Sequence, residues 1–387
     1  MDKIKVPANL ILSCMREQML KRIYLDYNAT APILPACIEA MNKTMVEVLG
    51  NSSSVHHWGQ GTRRLIESSR QVLAEIINAH PDHVIFTSGG TESNNHVLRG
   101  AAWRKVLIDP TAHDSAFKAL EHPEALSVTK GGLIDLFDLH KRMVDSSGGQ
   151  PILISINSPN NETGVIQPIE QIVQIARSFA NVFVHVDASQ GLGKLPISFR
   201  DLDIDAMTLC AHKMGGPQGI GALVVRETIP LQSFMRGGGQ EKSRRSGSEN
   251  VAAIAGWKAA LEAMPNLEHL RTWHHKMEAT LKKASPASLV FGENAARACN
   301  TTNITMPGVP NHTQVMSLDL AGFAVSAGSA CSSGKVSVSR VIKSMMPDEE
   351  VAQTALRISS GWQTTQDDLE RFTESWINLL NQTHSRK

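Results

Sequence analysis

Short apolar segments recur along the chain, and segments with helical spacing separate them. Apolar residues spaced as on one face of a helix follow Pro168, running from Ile172 to Phe179. Each short segment has the length of a buried strand and is bounded by turn residues. The predicted strands are Val84–Phe86, Val106–Ile108, Ile152–Ile156, Val182–Val186 and Asp205–Leu209. Strands that alternate with helices in this way indicate an α/β fold with a mainly parallel sheet.

Polar residues follow four of these strands at the point where each strand ends. Glycines that open a helix come after the first strand, and Asn161, Asp187 and Lys213 come after later ones. In an open α/β sheet the carboxyl ends of the strands form the edge where ligands bind. Taken alone, each group is typical of a polar loop. Together they place an anion seat, an amide, a carboxylate and an amine along one edge.

This combination matches the requirements of pyridoxal phosphate. Backbone amides at a glycine-rich helix start suit the phosphate group. The carboxylate of Asp187 can keep a ring nitrogen protonated, and the amine of Lys213 can anchor the cofactor covalently. The residues therefore point to pyridoxal phosphate as the cofactor.

A series of motifs in a highly specific order spans the chain from Ile23 to about Arg371. They are IYLDYNATAP, IFTSGGTE, NNETG, HVDASQ, AHK, GGGQE, RSGSEN, GSACSSG and LRIS. On these motifs the chain resembles the NifS/IscS-like cysteine desulfurases of the class V aminotransferase group. The resemblance implies fold-type I: a large domain over residues 32–266 with a mainly parallel seven-stranded sheet. It also implies a smaller α+β domain made of residues 1–31 and 267–387.

The resemblance also assigns residues to the cofactor. Lys213 would be its covalent anchor, Asp187 would face the pyridine nitrogen, and Gln190 would reach the ring oxygen. The implied phosphate ligands are Gly90, Thr91, Cys210, His212 and, supplied by the other subunit of a homodimer, Ser248. No metal site is expected.

Further residues are assigned to the substrate by the same resemblance. His113 would stack on the ring and move protons, Asn161 would lie between cofactor and substrate, and Arg357 would bind the substrate carboxylate. Cys331 lies among small residues and glycines, which predict a flexible, exposed loop. A lone loop cysteine is usually inert, because nucleophilicity requires a lowered thiol pKa. The resemblance nevertheless identifies Cys331 as the residue that receives sulfur as a persulfide.

The implied activity is conversion of L-cysteine to L-alanine, with the sulfur passed on to an acceptor protein. Acceptors of this kind are iron–sulfur scaffolds, thiolation proteins and sulfur carriers. Two alternatives remain open: a selenocysteine lyase or other class V enzyme, in which Cys331 is optional, and a non-catalytic dimeric adaptor. Without the family, the segment GGGQEKSRRSGSEN is a solvated basic loop or a weak anion site; the resemblance instead places it in the partner's active site.

Composition sets further limits. The chain has 387 residues and 42% hydrophobic content, enough for two domains with cores. Its formal net charge of +1 gives no electrostatic reason to expect nucleic acid or a membrane surface as a partner. The five cysteines are odd in number and contain no CxxC pair. They favour a reducing compartment, here the cytoplasm, over a disulfide framework.

The first residues precede every motif. The apolar patch Leu10–Cys14 is soon broken by Arg16 and Glu17, which makes it too short for a signal peptide or a membrane span. We expect a poorly ordered or short helical extension over residues 1–18, with Met19 as an alternative natural start.

Four positions depart from the usual family pattern. Cys210 stands where serine commonly donates to the phosphate, and a thiol is the weaker donor. Ala112 replaces an acidic residue before His113, while Ser52 and Val338 each replace a proline. None of these changes removes a group that the chemistry requires, but they bear on the strength of cofactor binding and on the choice of acceptor.

Overall fold

In the computed structural model of the protein, which describes residues 22–146, 149–328 and 338–384, all five predicted strands are present. The strands are β1 (Ile23–Tyr24), β2 (Val84–Thr87), β3 (Lys105–Ile108), β4 (Glu124–Ala125), β5 (Ile152–Asn157), β6 (Val182–Asp187), β7 (Ala206–Cys210), β8 (Gly221–Val225), β9 (Thr301–Thr305), β10 (Phe323–Ala324) and β11 (Ala355–Ser359). The predictions for residues 1–18 and for the Cys331 loop lie outside the described residues.

Helices connect most of the strands. They are α1 (Pro35–Glu47), α2 (His57–Ile76), α3 (Gly90–Arg99), α4 (Asp114–Phe117), α5 (Leu136–Asp145), α6 (Ile169–Arg177), α7 (Val251–Glu262), α8 (His269–Ala284), α9 (Asn311–Leu320), α10 (Arg340–Met345), α11 (Glu349–Ala352) and α12 (Gln366–His384). Within the described residues, none of these helices is long and apolar enough to cross a membrane.

Seven strands form the central sheet in the order β2-β8-β7-β6-β5-β3-β4. Only β8 is antiparallel to its neighbours, so the predicted mainly parallel seven-stranded sheet is confirmed. Every residue of β2, β5, β7 and β8 is buried. Burial on both faces explains why these strands are continuous apolar runs instead of alternating patterns.

Two large apolar clusters lie on either side of the expected domain boundaries. One contains buried residues between Leu34 and Leu261 and includes the faces of the central sheet. The other joins Ile23 and Leu25 to residues between Met277 and Leu380 and surrounds the two-stranded sheets β1-β10 and β9-β11. The division into residues 32–266 and the remainder stays a prediction.

The register of the parallel strands aligns their carboxyl ends. Asn157 at the end of β5 is the register partner of Asp187 at the end of β6, and Asp187 is paired with Thr208 of β7. Lys213 follows β7 by a short turn that contains Gly215 at φ +95°. A side chain at Gly215 would come within 2.7 Å of Leu34, so the turn requires glycine. Side chains far apart in sequence thereby share one edge.

Two buried histidines are held neutral by the fold. His185 in β6 is within 3.0 Å of both Ser155 Oγ and Thr208 Oγ1. His274 in α8 lies 2.8 Å from Thr302 Oγ1 and 2.7 Å from Ser360 Oγ. Burial lowers the pKa of each imidazole to about 4.

These histidines predict a loss of stability in mild acid. Histidine in the unfolded chain titrates near about 6.5, so between that pH and about 4 the unfolded chain binds more protons than the folded one. The free energy of unfolding is therefore highest above this pH interval and decreases as the pH falls through it. His274 alone should lower it by about 2 kcal/mol between pH 7 and pH 5. Denaturant unfolding of wild type and His274→Gln at both pH values measures this contribution. The exposed His312→Gln is the control and should keep the wild-type pH dependence; an equal dependence in His274→Gln would contradict the assignment.

Candidate active site

A cavity of roughly 270 Å³ opens at the carboxyl edge of the central sheet. Most of the residues predicted for the site line it, including those from β6, the turn after β7 and β11. The predicted residues in its lining are Gly90, Thr91, His113, Asn161, Asp187, Gln190, Cys210, His212, Lys213 and Arg357. Asn28, Ala29, Ser115, Asn157 and Ser189 complete it. The fold therefore brings together the predicted anion seat, carboxylate, amide and amine.

The glycine-rich turn before α3 forms one wall of the cavity. Gly89 has φ +150°, and a Cβ at this position would meet nothing within 4 Å. A Cβ at Gly90 would lie 3.0 Å from Ser189 Oγ, and one at Gly221 would lie 2.7 Å from the backbone of Gly89. Glycine is therefore needed for close approach on both sides. The free amides and the positive end of the α3 dipole make this wall suitable for a phosphate.

The Asp187 carboxylate is buried at the tip of β6 but stays ionised. Its Oδ1 accepts from Ser189 N at 3.0 Å and its Oδ2 accepts from Asn94 Nδ2 at 2.8 Å. Burial raises the pKa of this carboxyl, but the bond from Ser189 and the charge of Lys213 outweigh burial and leave the pKa below its usual value. A permanent negative charge therefore lines the same cavity as the amine of Lys213.

A chain of hydrogen bonds joins His113 to Asp187. Ser115 N donates to His113 Nδ1 at 3.1 Å, and Ser115 Oγ lies 2.9 Å from the same nitrogen. Asn94 Nδ2 donates to Ser115 Oγ at 2.9 Å as well as to Asp187. Burial lowers the pKa of His113, and Lys213 lowers it further, so the ring is mostly neutral near neutral pH. The imidazole is thus oriented from the helix α3.

His212 and Lys213 follow β7 and face the same cavity. His212 Nδ1 lies 3.2 Å from Thr30 Oγ1. Burial lowers the pKa of His212 to about 4, with Lys213 and Lys194 contributing. A neutral His212 donates or accepts hydrogen bonds without repelling the neighbouring lysine.

A buried lysine supports the predicted ring-oxygen ligand. Lys194 Nζ donates to Asn28 Oδ1 at 2.8 Å and to Gln190 Oε1. Gln190 Nε2 in turn donates to the Asn28 carbonyl at 2.8 Å. Because Lys194 binds Gln190 Oε1, the orientation of the Gln190 amide is fixed and Nε2 is its donor atom. Burial, together with Lys213, lowers the pKa of Lys194 to about 7.

Arg357 in β11 reaches the cavity from the second core. Its guanidinium donates to the Asn161 carbonyl at 2.9 Å and to Asp26 Oδ1 at 2.6 Å. Asn161 also accepts from Asn28 Nδ2 at its carbonyl, at 3.2 Å, while its side-chain oxygen has no partner. Arg357 and Asn161 are therefore held in place by hydrogen bonds to other protein groups that do not use Oδ1 of Asn161.

The cavity meets the requirements of pyridoxal phosphate. Oδ1 of Asn157, Oδ1 of Asn161 and Nε of Arg357 are buried polar atoms of lining residues that have no hydrogen-bond partner among the residues the structure describes. Buried polar atoms are normally paired, so these three are free for a ligand. The glycine wall, the ionised Asp187 and the amine of Lys213 supply the remaining contacts such a ligand needs.

Two predicted residues are not in this cavity. Cys331 lies outside the described residues. Ser248 is exposed and lines a separate small cavity beside Arg245 and Glu249. The neighbouring Ser52, one of the departures, donates to Glu249 Oε2 at 2.8 Å.

The basic segment around Ser248 is tied down by ion pairs. Arg245 pairs with Glu92 in the first turn of α3 at 2.9 Å, and Lys242 pairs with Asp82. Glu241, which is buried, pairs with Arg70 at 2.7 Å. These partners distinguish the segment from a freely solvated basic loop.

A family model links this geometry to known proteins. The model described as "Aminotransferase class-V" matches residues 23–372. The chain belongs to the class V aminotransferase family. Enzymes of this family generally use pyridoxal phosphate. Within the family, the relatives of this chain are cysteine desulfurases.

Two relatives and one solved structure illustrate the similarity. The cysteine desulfurase IscS of Dictyoglomus turgidum is 34% identical over 369 residues, covering 91% of this chain and 92% of the relative. A mitochondrial cysteine desulfurase of Arabidopsis thaliana is 33% identical, and the match covers 92% of this chain and 82% of the relative. The structure of a NifS-like protein from Rickettsia africae matches with a TM-score of 0.85 at 33% identity. The match covers 93% of this chain and 99% of that protein's chain. The predicted family and fold type are thereby confirmed.

Three residues of this class V aminotransferase were missed by the sequence analysis: Asn94, Ser115 and Lys194. Asn94 lies one helical turn after Gly90 in the stretch GTESNN, a position that faces back to the strand tips. Lys194 follows Gln190 at the same spacing. This spacing was an available signal, whereas Ser115 gave none because its role depends on how the loop turns.

Cys210 is already hydrogen-bonded within the protein. Its thiol donates to the Ser189 carbonyl at 3.5 Å, and burial raises the pKa of the thiol, which keeps it protonated. If Cys210 is a weak phosphate donor, Cys210→Ser should hold the cofactor as tightly as wild type or up to about 1 kcal/mol more tightly. Equilibrium titration of apoprotein with pyridoxal phosphate measures the difference. Marked weakening would show that the position requires an apolar atom.

Proposed function

We propose that this chain is a pyridoxal-phosphate-dependent cysteine desulfurase that converts L-cysteine to L-alanine and retains the sulfur as a persulfide on Cys331. The observation that carries the proposal is the convergence of Lys213, Asp187, His113 and Arg357 on one cavity next to a glycine-rich helix start. Membership of the class V family and the cysteine desulfurase relatives support the same activity.

The cofactor would be held at four points. Gly90, Thr91 and His212 would bind the phosphate, with Cys210 nearby. Asp187 would face the ring nitrogen, Gln190 would donate to the ring oxygen, and Lys213 would bind the cofactor covalently. When bound, pyridoxal phosphate supplies an aldehyde that condenses with amines and a ring that withdraws electrons from the bonds at Cα.

Protons are moved by His113 and Lys213. The lowered pKa of His113 leaves the ring neutral near neutral pH. While Nδ1 accepts from Ser115 N, the ring proton is on Nε2, the nitrogen left for the cavity. Nε2 would accept a proton in the other tautomer, in which Nδ1 donates to Ser115 Oγ at 2.9 Å. Lys213 provides an amine that lines the same cavity as the Asp187 carboxylate.

Arg357 and Asn161 would orient the substrate. A guanidinium binds both oxygens of a carboxylate at once, which fixes the amino acid's rotation. The unpartnered Nε of Arg357 and Oδ1 of Asn161 are the donor and acceptor available for the carboxylate and ammonium ends of L-cysteine.

The sulfur step is nucleophilic. The Cys331 thiolate attacks the substrate sulfur, a sulfur–sulfur bond forms, and the bond from that sulfur to Cβ breaks. The electron pair of the broken bond stays with Cβ, which takes up one proton and becomes the methyl group of alanine, while the substrate sulfur gives up its thiol proton. Sulfur is oxidised to the sulfane level and carbon is reduced, so no external oxidant is needed. An acceptor protein such as an iron–sulfur scaffold or sulfur carrier then takes the persulfide.

A homodimer would complete the site. Ser248 is exposed and outside its own cavity, as expected of a phosphate ligand that serves the partner subunit. Large apolar side chains near one another in sequence are also exposed on α1, α2 and the loop between them. They are Ile38, Met45, Val46, Leu49, Val55 and Trp58. Burial of such residues against a second copy is a common driving force for association.

We place the enzyme in the cytoplasm. The buried cysteines Cys37, Cys210 and Cys299 are free thiols, as a reducing compartment favours. The mitochondrial relative shows that this enzyme class also works in an organelle, so fractionation of cells is the direct measurement.

The anchor can be tested chemically. Lys213→Ala should abolish turnover and covalent attachment of the cofactor while the far-ultraviolet circular dichroism stays that of wild type. Borohydride reduction of the wild-type protein followed by peptide mapping should place the pyridoxyl label on the Lys213 peptide. The exposed Lys130→Ala is the control and should keep both label and turnover. A label on Lys194, the buried lysine behind Gln190, would overturn the assignment.

The thiol can be tested separately from the cofactor. Cys331→Ser should bind pyridoxal phosphate and change its absorption spectrum with L-cysteine, yet release almost no alanine, because sulfur abstraction alone needs the thiol. Mass spectrometry of wild type after brief exposure to L-cysteine should find one added sulfur on the Cys331 peptide. Cys37→Ala, which removes a thiol outside the cavity lining, should keep alanine production. An unmodified peptide together with undiminished turnover in Cys331→Ser would favour a lyase or an aminotransferase.

A further inference from the structure

Arg340 grips the loop that carries His113. It is the first residue of α10 and its side chain is 30% exposed. Its guanidinium donates to the Pro110 carbonyl, to the Ala112 carbonyl at 2.5 Å and to Asp114 Oδ1 at 3.1 Å. One side chain therefore holds the backbone directly before His113 and the carboxylate directly after it.

An aromatic ring completes the grip. The guanidinium carbon of Arg340 lies 4.1 Å from the centroid of Phe117, the last residue of α4. This distance is within the range of a cation–π contact, which fixes the plane of the guanidinium as well as its position. The contacts of Arg340 thus extend along the loop from Pro110 to Phe117.

Other hydrogen bonds hold the two ends of this loop, and Arg340 binds the part between them. The Asp109 carboxylate ties down the start of the loop by accepting from Thr111 N at 2.7 Å and Asn157 N at 3.2 Å. Ser115 and Asn94 hold the imidazole on the other side. Between these anchors, the carbonyl of Ala112 has no other hydrogen bond among the described residues.

We propose that Arg340 is a positioning residue for His113, which sets the placement of the imidazole and the balance of charge around it without touching the cavity. Arg340 is absent from the cavity lining, so it acts on His113 through the loop and through its charge, without touching the cavity. The inference rests on the proposed function, in which His113 moves protons. It also gives α10, the first described helix after Cys331 in the sequence, a direct link to that histidine.

The charges around His113 determine the direction in which its pKa should change when Arg340 is replaced. Burial lowers the pKa of His113, and so do the cations Lys213, beyond β7, and Arg340. Asp187 at the end of β6 and Asp114 in α4 raise the pKa. His212 also faces His113 across the cavity. Removal of the Arg340 charge deletes one lowering influence and leaves Asp114 with Lys118 as its one ion-pair partner in the described part of the chain, so the pKa of His113 should rise.

The experiment compares Arg340→Gln, Arg340→Lys and the control Lys343→Gln. Lys343 is on the same helix and pairs with Glu349 at the surface. Histidine-labelled holoenzyme is titrated by NMR, with the His113 signal assigned by its loss in His113→Gln. Alanine production is followed across the same pH range.

We expect Arg340→Gln to raise the pKa of His113 and to move the acidic limb of the pH–rate profile in the same direction. Its kcat should fall about tenfold or more, while KM for L-cysteine stays within about twofold, since misplacement of a proton-transfer group costs rate and not binding. Arg340→Lys should restore the charge, and with it the pKa, but not the full rate, because an ammonium cannot hold two carbonyls and a carboxylate in one plane. Lys343→Gln should match wild type in every measurement.

A second variant covers the case in which Arg340→Gln does not fold. Asp114→Asn should lower the pKa of His113, the opposite sign, because it removes a carboxylate from the same pair. An unchanged His113 titration in both variants would overturn the inference. The two proposals can fail separately. If wild type makes no alanine but the variants still shift the pKa of His113 as expected, the desulfurase activity is refuted and the positioning role of Arg340 is kept.

Discussion

A carboxylate buried at the end of a central parallel strand has to be compensated, and the active-site architecture of this protein follows from how Asp187 is compensated. Without donors its charge would be lost by protonation, because desolvation favours the neutral acid. The backbone of Ser189, the amide of Asn94 and the nearby amine of Lys213 keep it ionised. Each donor comes from a different element, so the carboxylate fixes how the helix α3 and the turns after β6 and β7 meet.

Arginines then connect this centre to elements late in the chain, and Arg357 belongs to the strand that lies in the second core. Arg357 extends from β11 to the carbonyl of Asn161, and Arg340 extends from α10 to the loop of His113. Both guanidiniums bind backbone carbonyls together with a carboxylate, which uses several of their donors in a fixed geometry. The two apolar clusters can therefore keep a defined arrangement around the cavity through polar contacts as well as packing.

Sequence reasoning located the fold and most of the cavity because both depend on local rules. Continuous apolar runs identified the strands, and a parallel sheet necessarily collects their carboxyl ends. The placement of Lys213, Asp187 and the glycine turn at that edge then followed, while their roles toward a cofactor stay predictions. Contacts between distant loops could not be predicted. The spacing of Asn94 from Gly90 indicates the side that it faces but not that its amide bridges Ser115 and Asp187. Nothing near Arg340 indicates that it binds the carbonyls of Pro110 and Ala112. Ser248 lies outside the cavity of its own chain, and its role as a phosphate ligand depends on the proposed homodimer.

Asn28 ties the two ends of the chain together at the cavity. Its backbone nitrogen donates to Ser359 Oγ, a residue 331 positions later, and its side chain and carbonyl hold Asn161, Thr301, Lys194 and Gln190. Contacts of such long sequence separation form late, because the entropy of closing the intervening chain must be overcome first. The central sheet can form from earlier residues, but the cavity is incomplete until β11 has been synthesised and docked. In a nascent chain the large core can therefore fold before the cavity gains the guanidinium of Arg357, so the wall that β11 supplies is the last part of the cavity to form.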